Sequence, residues 1–254
     1  YDAVRAGFGK VVFVIRHQFE KEFKEIFGPE HFGGKIDVEF VFQELDYLPE
    51  GFSVPEGRVK PWGTGHATLM AASAVDTPFA VINSDDFYGR EAYQVLADYL
   101  RSVDGKRGEY SMVGYNLRNT LSEFGTVSRG ECTVNENQEL VSIVERTAIE
   151  RKPDGEVVYR DASGEHHIDE NTPVSMNFFG FTPKAFDSFQ SYWNDFKKNH
   201  ISEPKTECLL PSGVAEMIEK GEGSVEVLSS DDKWFGMTYP EDKPMVMSSL
   251  RAKI

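Results

Sequence analysis

Cysteine is scarce in this chain: two in 254 residues, Cys132 and Cys208, far apart in sequence. Two cannot form the disulfide framework of a small secreted domain, and they read as reduced thiols of a cytoplasmic protein. No apolar run approaches the roughly 18 residues of a membrane span, and no leader pattern of basic then apolar residues stands at the start. Basic residues are in deficit, 27 Lys and Arg against 42 Asp and Glu, for a formal net charge of −15. That balance disfavours nucleic acid and anionic membranes as partners. It leaves room for a small anionic substrate wherever a bound cation overrules the field. His166-His167 has no Cys or Asp cluster at metal-ligand spacing, so it reads as a solvated turn rather than a zinc site. Internal repeats and low-complexity tracts are also missing.

What is present suits one large α/β domain spanning 1–254. Hydrophobic residues make up 40% and aromatics 13%, enough for a sizeable core. Tyr1 to Gly9 reads as the end of a helix, with Gly7 and Gly9 as its break. Lys10 to Arg16 is a continuous apolar strand. Gln18 to Phe27 carries Phe19, Phe23, Ile26 and Phe27 at helical spacing, and Ile36 to Gln43 is the next strand. Strand, helix and strand within about 30 residues predict a right-handed βαβ crossover. Thr64 to Val75 is an Ala-rich helix, Phe79 to Asn83 a strand buried on both faces, Arg90 to Val103 a helix, and Tyr110 to Tyr115 a strand. The predicted architecture is a three-layer, doubly wound, mostly parallel sheet.

The pattern then changes. Phe124 to Arg129, Glu139 to Arg146, Val157 to Arg160 and His166 to Ile168 are short alternating pieces separated by turns such as Pro153-Asp-Gly155. They predict an antiparallel β insertion over about 118–172. Val174 to Phe181 returns as a strand and Pro183 to Asn199 as a helix. Ser212 to Lys220 (helix), Ser224 to Leu228 (strand) and Pro240 to Ala252 (helix) follow.

Chemistry concentrates where the strand Phe79 to Asn83 breaks into Ser84-Asp85-Asp86. Ligands of open α/β sheets lie outside the carboxyl ends of the strands. Adjacent carboxylates there repel unless a cation lies between them, and Mg²⁺ shared with a phosphate is the natural occupant. An N-cap pair for the following helix is the plainer alternative. Gly63-Thr64-Gly65-His66-Ala67 opens another helix, where glycines let a ligand approach backbone N–H groups. A simple glycine turn capped by Thr64 competes with that reading. Gln43, at a strand end, offers the amide edge needed to read a nucleobase. His66 reads as helix packing.

In combination, Gln43, then Gly63-Thr64-Gly65-His66-Ala67, then the strand ending at Asp85, resembles the sugar-1-phosphate nucleotidyltransferases. The resemblance is closest to the N-acetylglucosamine-1-phosphate uridylyltransferase branch and runs from Tyr1 to about Asp242. It implies a Rossmann-like nucleotidyltransferase fold, Mg²⁺ as cofactor, and a nucleoside triphosphate and a sugar 1-phosphate as small-molecule partners. It also implies that Gln43, Gly63 and Thr64 hold the pyrimidine and that Asp85 binds metal, with Asp86 supporting or replacing it. Glu123-Phe-Gly125-Thr-Val127 is similar to the segment whose glycine contacts the sugar. Ile143-Val-Glu145 is similar to the one whose glutamate binds sugar hydroxyl or acetamido groups, and Ser175-Met-Asn177 to the strand that follows. Ser229-Ser-Asp231-Asp232-Lys233-Trp234 resembles the loop of the second metal ligand, assigned here to Asp232 over Asp231; an exposed acidic turn is the alternative.

One departure stands out. The family opens with a strand and a Gly-rich loop whose Arg, with a later Lys, cradles the triphosphate. This chain opens at Tyr1, with neither Met nor a helix start signal. Either one more strand-and-loop unit is expected upstream or the chain is a binding-only remnant, and the chain as it stands is expected to be a poor enzyme. The implied activity is transfer of a nucleotidyl group from UTP (or dTTP or CTP) to a sugar 1-phosphate. The rivals are a metal-dependent glycosyltransferase and a nucleotide-sugar-binding regulatory module.

Overall fold

The computed structural model describes residues 1–103, 108–236 and 241–251. Its elements follow the predicted order: α1 (Asp2–Ala6), β1 (Lys10–Ile15), α2 (Glu20–Phe27), β2 (Asp37–Phe42), α3 (Thr64–Met70), β3 (Phe79–Val81), α4 (Arg90–Ser102) and β4 (Glu109–Asn116). Then come β5 (Val127–Val134), β6 (Leu140–Arg151), β7 (Val157–Asp161), β8 (Gly164–His167), β9 (Pro173–Phe181), α5 (Ala185–His200), α6 (Leu210–Glu219), β10 (Ser224–Ser229) and α7 (Asp242–Arg251). The expected limits of the last helix, Pro240 and Ala252, lie outside the described residues.

The fold is mixed α/β and Rossmann-like. β1 and β2 pair in parallel, Lys10 against Asp37 through Ile15 against Phe42, as the βαβ reading requires. The large sheet runs β10-β4-β9-β5-β6-β7-β8, with β3 on β9. β10 and β4 are parallel, while β9 lies antiparallel to both β3 and β4. β5 to β8 continue as the antiparallel extension expected of the insertion.

Period-2 alternation on β9 divides the core. Phe179 and Phe181 face Trp62, Met112, Phe189 and Trp193 beneath α5 and α6. Phe178, one residue before them, points the other way, to Tyr88, Leu96, Val113 and Tyr115 beneath α4. All three phenylalanines are fully buried. Cys132 and Cys208 are free and buried.

Several predicted boundaries move. The Thr64–Val75 helix becomes α3 plus a short 3₁₀ turn at Ala72–Ala74. The predicted Phe124–Arg129 strand slides to β5, and the Glu139–Arg146 strand lengthens into β6, because mutual pairing rather than local pattern sets their ends. His166 and His167 lie in β8, not in a turn, and pair with Asp161 and Glu156. α6 starts at Leu210 because Pro211 suits a first helical turn. β3 is three residues long and only half-buried, where a strand buried on both faces was expected, since an open groove runs along its free edge. No helix among the described residues is long and apolar enough to cross a membrane.

Candidate functional site

Two acidic loops, far apart in sequence, are locked together at the ends of β3 and β10. In the first, the chain leaves β3 and turns through Asp85 and Asp86 to Gly89. In the second, it leaves β10 and passes Asp231 and Asp232. Phe87 and Phe235 join the loops by reciprocal backbone hydrogen bonds, Phe87 N–H to Phe235 O at 2.8 Å and Phe235 N–H to Phe87 O at 3.0 Å. Their rings also meet, 5.7 Å between centroids. The Asp232 carboxylate accepts the N–H groups of Glu91 and Ala92 at 2.6 and 3.1 Å, which caps α4. A side chain at Gly89 (φ 97° is reached by Gly7; here φ is 93°) would collide with that carboxylate.

The two adjacent carboxylates behave differently. Asp86 accepts a hydrogen bond from Asn83 Nδ2 at 2.9 Å and lies 3.2 Å from the Tyr88 hydroxyl. Burial, reinforced by the neighbouring Asp85, raises its pKa, while those hydrogen bonds oppose the rise. Asp85 is exposed, with no hydrogen bond or ion pair among the described residues. Asp86 thus shapes the turn, and Asp85 leaves its carboxylate open to solvent. Tyr88, buried and unremarked in the sequence, is the hub: its hydroxyl accepts Asn83 N–H at 2.9 Å and reaches Met176 O at 2.9 Å. Desolvation holds its pKa far above the tyrosine range. The only sequence signal for it was an aromatic beside the turn glycine.

Across the sheet, Glu145 on β6 registers with Gly130 on β5, which registers with Ser175 on β9. At roughly 4.8 Å per strand these backbones span about 10 Å. β9 bulges against β4 between Phe179 and Ser175, and the bulge holds Asn177 at φ 60°, a left-handed conformation that Asn tolerates. Gly125 lies in the loop before β5. Arg129, predicted only as a strand end and not as a site residue, is 7% exposed and donates to Thr120 Oγ1 at 3.1 Å and Ser128 O at 2.7 Å. Its guanidinium sits 4.8 Å over the Trp234 ring and feels Asp86 and Glu145, although burial lowers its pKa to about 10. Partial desolvation raises the Glu145 carboxyl, and Arg129 offsets this. Arg129 therefore links the acidic turn electrostatically to the wall carrying Glu145.

The third predicted group has another physical basis. Gln43 donates both amide protons inward, to Gly63 O and His66 Nδ1, each at 3.0 Å. Gly63 (φ 103°) and Gly65 are glycines because the Cys208–Leu209 backbone passes against them: a Cβ at Gly63 would lie 2.6 Å from Cys208 O. Gly65 N–H donates to Cys208 O at 2.8 Å, and Thr64 Oγ1 accepts Leu210 N–H at 2.9 Å. The glycines thus serve backbone packing, and Thr64 ties α3 to α6. His66 is buried against Trp193, and desolvation lowers its pKa to about 4. It packs, as expected, rather than reacts.

A Mg²⁺ ion shared with phosphate would take one or two carboxylates from protein. Among the described residues, the carboxylate oxygens without a hydrogen bond in these loops include those of Asp85 and the second oxygen of Asp232. Among the described residues no cluster of three or more His, Cys, Asp or Glu could cage a metal alone.

No protein-family model matches the chain, and no curated protein matches it in sequence. Solved structures do match its fold. One, assigned as a glucose-1-phosphate thymidylyltransferase of Bacillus anthracis and solved with sucrose, has a TM-score of 0.62 at 10% identity over 99% of this chain and 80% of its own. A UDP-glucose pyrophosphorylase complexed with UDP-glucose has a TM-score of 0.57 at 13% identity, covering 100% and 84%. A nucleoside-diphosphate-sugar pyrophosphorylase of Vibrio cholerae has a TM-score of 0.55 at 12% identity, covering 97% and 83%. The fold is thus that of the sugar-1-phosphate nucleotidyltransferases. None of the three is named as an N-acetylglucosamine-1-phosphate uridylyltransferase.

Proposed function

We propose that this chain belongs to an enzyme that transfers a nucleotidyl group from a pyrimidine nucleoside triphosphate, UTP first, to a sugar 1-phosphate. The products are an NDP-sugar and pyrophosphate. The observation that carries the reading is the locking of the Asp85–Asp86 turn to the Asp231–Asp232 loop at the strand ends, with Arg129 within the field of both Asp86 and Glu145. A sugar-phosphate oxygen attacks the α-phosphorus in line as the bond to pyrophosphate breaks. That oxygen is already anionic, so no strong general base is required. Asp85 and Asp232 would hold Mg²⁺, which when bound neutralises charge on the phosphates. Glu145 and Asn177, with backbone at Gly125, would orient the sugar. Gly63 and Thr64 would border the base, with Gln43 contributing its remaining acceptor oxygen.

The test is pyrophosphate release by the product of the complete reading frame with Mg²⁺, UTP and a panel of hexose 1-phosphates. Release with one of them supports the reading and names the sugar. Silence across the panel with UDP-sugar still bound favours a regulatory binding module. Sugar transfer from UDP-sugar without pyrophosphate chemistry favours a glycosyltransferase.

A further inference from the structure

Two cations stand directly opposite one another in the antiparallel extension. Arg129 on β5 registers with Arg146 on β6, so their side chains leave the same face of neighbouring strands. Like charges in that relation repel unless anions compensate them. Arg146 has its anion: Nε donates to Glu131 at 2.6 Å, and the guanidinium lies 4.5 Å over the Tyr159 ring. Arg129 has none at ion-pair distance among the described residues. Acids are abundant in the chain, 42 against 27 basic residues, so the deficit here is local.

The partners that Arg129 does have are neutral: Thr120 Oγ1, Thr120 O, Ser128 O and the indole face of Trp234. A guanidinium carries five N–H protons, and three bonds leave two without an acceptor among the described residues. Asp86, Glu145 and Asp242 act on it only through the field, and burial outweighs them. A buried cation left partly uncompensated is costly, and an incoming anion relieves that cost.

Position says which anion. Thr120, which takes two of the bonds, stands at the start of the loop carrying Gly125. Gly130, next to Arg129, registers with Glu145. Trp234 belongs to the loop of Asp232. One guanidinium thus joins the loop and wall assigned to the sugar with the loop assigned to the metal. A sugar held by Gly125 and Glu145, with its phosphate toward the acidic turns, brings that phosphate past Arg129.

We propose that Arg129 binds the phosphate of the sugar 1-phosphate, its two remaining N–H groups donating to phosphate oxygens. The planar fork of arginine suits two such bonds, which a lysine cannot reproduce. The identity of the ligand rests on the proposed nucleotidyl transfer; its charge rests on the cross-strand arginine pair. Arg129 holds the phosphate before and during the reaction alike, so its effect falls on KM for that substrate rather than on kcat.

Pyrophosphate release by the product of the complete reading frame, with Mg²⁺ and UTP, compares the parent with Arg129→Lys and Arg129→Met. KM for the sugar 1-phosphate should rise about 10- to 100-fold in Arg129→Met, the loss expected for hydrogen bonds to a charged group, and less in Arg129→Lys. KM for UTP and kcat should change less than about 3-fold. Calorimetry with inorganic phosphate and glucose 1-phosphate reads the same site without turnover. An unchanged KM for the sugar 1-phosphate would overturn the proposal. Equal losses for UTP and sugar 1-phosphate would also overturn it, making Arg129 a structural clamp, and so would a parent that binds neither calorimetric probe. Should neither variant fold, the side-chain ¹⁵N–¹H resonances of Arg129 in the parent must shift on titration with glucose 1-phosphate; unmoved resonances overturn the proposal. Arg129-dependent phosphate binding without any pyrophosphate release would remove the nucleotidyl-transfer reading and leave the anion site standing. Turnover by Arg129→Met equal to the parent's at every substrate level would do the reverse.

Discussion

Asp232 is assigned two tasks, and a substitution pair separates them. Its carboxylate accepts two backbone N–H groups at the start of α4, 2.6 Å from Glu91 N and 3.1 Å from Ala92 N. Losing such a cap costs about 1 kcal/mol, and losing a negative charge at a helix N-terminus costs roughly 0.3–1 kcal/mol more. Asp232→Ala should therefore cost about 1–2 kcal/mol. For a chain of this size that lowers Tm by about 2–8 °C. Asp232→Asn keeps an acceptor and loses the charge, so it should fall by about 1–3 °C. Thermal unfolding followed by circular dichroism in metal-free buffer measures both. If Asp232→Ala leaves Tm unchanged or raises it, repulsion among Asp85, Asp86 and Asp232 outweighs the cap. The capping argument is then wrong. Under the proposed function both variants also lose turnover, whatever their stabilities.

Asp85→Asn should leave Tm within about 1 °C of the parent, because the side chain has no partner to lose. It should reduce pyrophosphate release roughly a thousand-fold in the complete protein; near-normal turnover would remove Asp85 from the site. The His66 pKa is lowered in the fold to about 4, so the unfolded chain binds the extra proton. Stability from this group is full above about pH 6.5 and falls as pH drops toward 4, by about 3 kcal/mol in all. Urea titrations should show that slope in the parent and a flatter one in His66→Gln. Gly63→Ala combines a positive φ with a Cβ 2.6 Å from Cys208 O, and should cost roughly 2–4 kcal/mol through strain and displacement of the Cys208 segment. A loss below about 0.5 kcal/mol by chemical denaturation would refute the close approach.

Much of the fold was legible in the chain because it is encoded locally. Continuous apolar runs at Val11 to Ile15 and Val174 to Phe181 mark strands, and period-3.6 patterns mark α4 and α5. The shift from long to short alternating segments near residue 118 marks the antiparallel extension. The Asp85–Asp86 break was legible for the same reason, since a strand giving way to two carboxylates has few structural uses. Glycines were legible as special positions but not in purpose: at Gly63 and Gly65 the close neighbour is the Cys208–Leu209 backbone, more than 140 residues away in sequence.

Long-range pairing decided the rest. Nothing in the sequence near Asp232 announces that its carboxylate closes α4, since the two N–H groups it accepts belong to Glu91 and Ala92. Arg129 joined the candidate site only when β5 set it over Trp234 and within the field of Asp86 and Glu145. Gln43 offered an amide edge in sequence, but its protons turned inward because the fold brought Gly63 O and His66 Nδ1 within 3.0 Å. Local composition therefore determined which elements form and where acidic chemistry collects. Tertiary structure alone decided which polar groups are already satisfied, because a buried hydrogen bond depends on whatever distant atom the fold delivers.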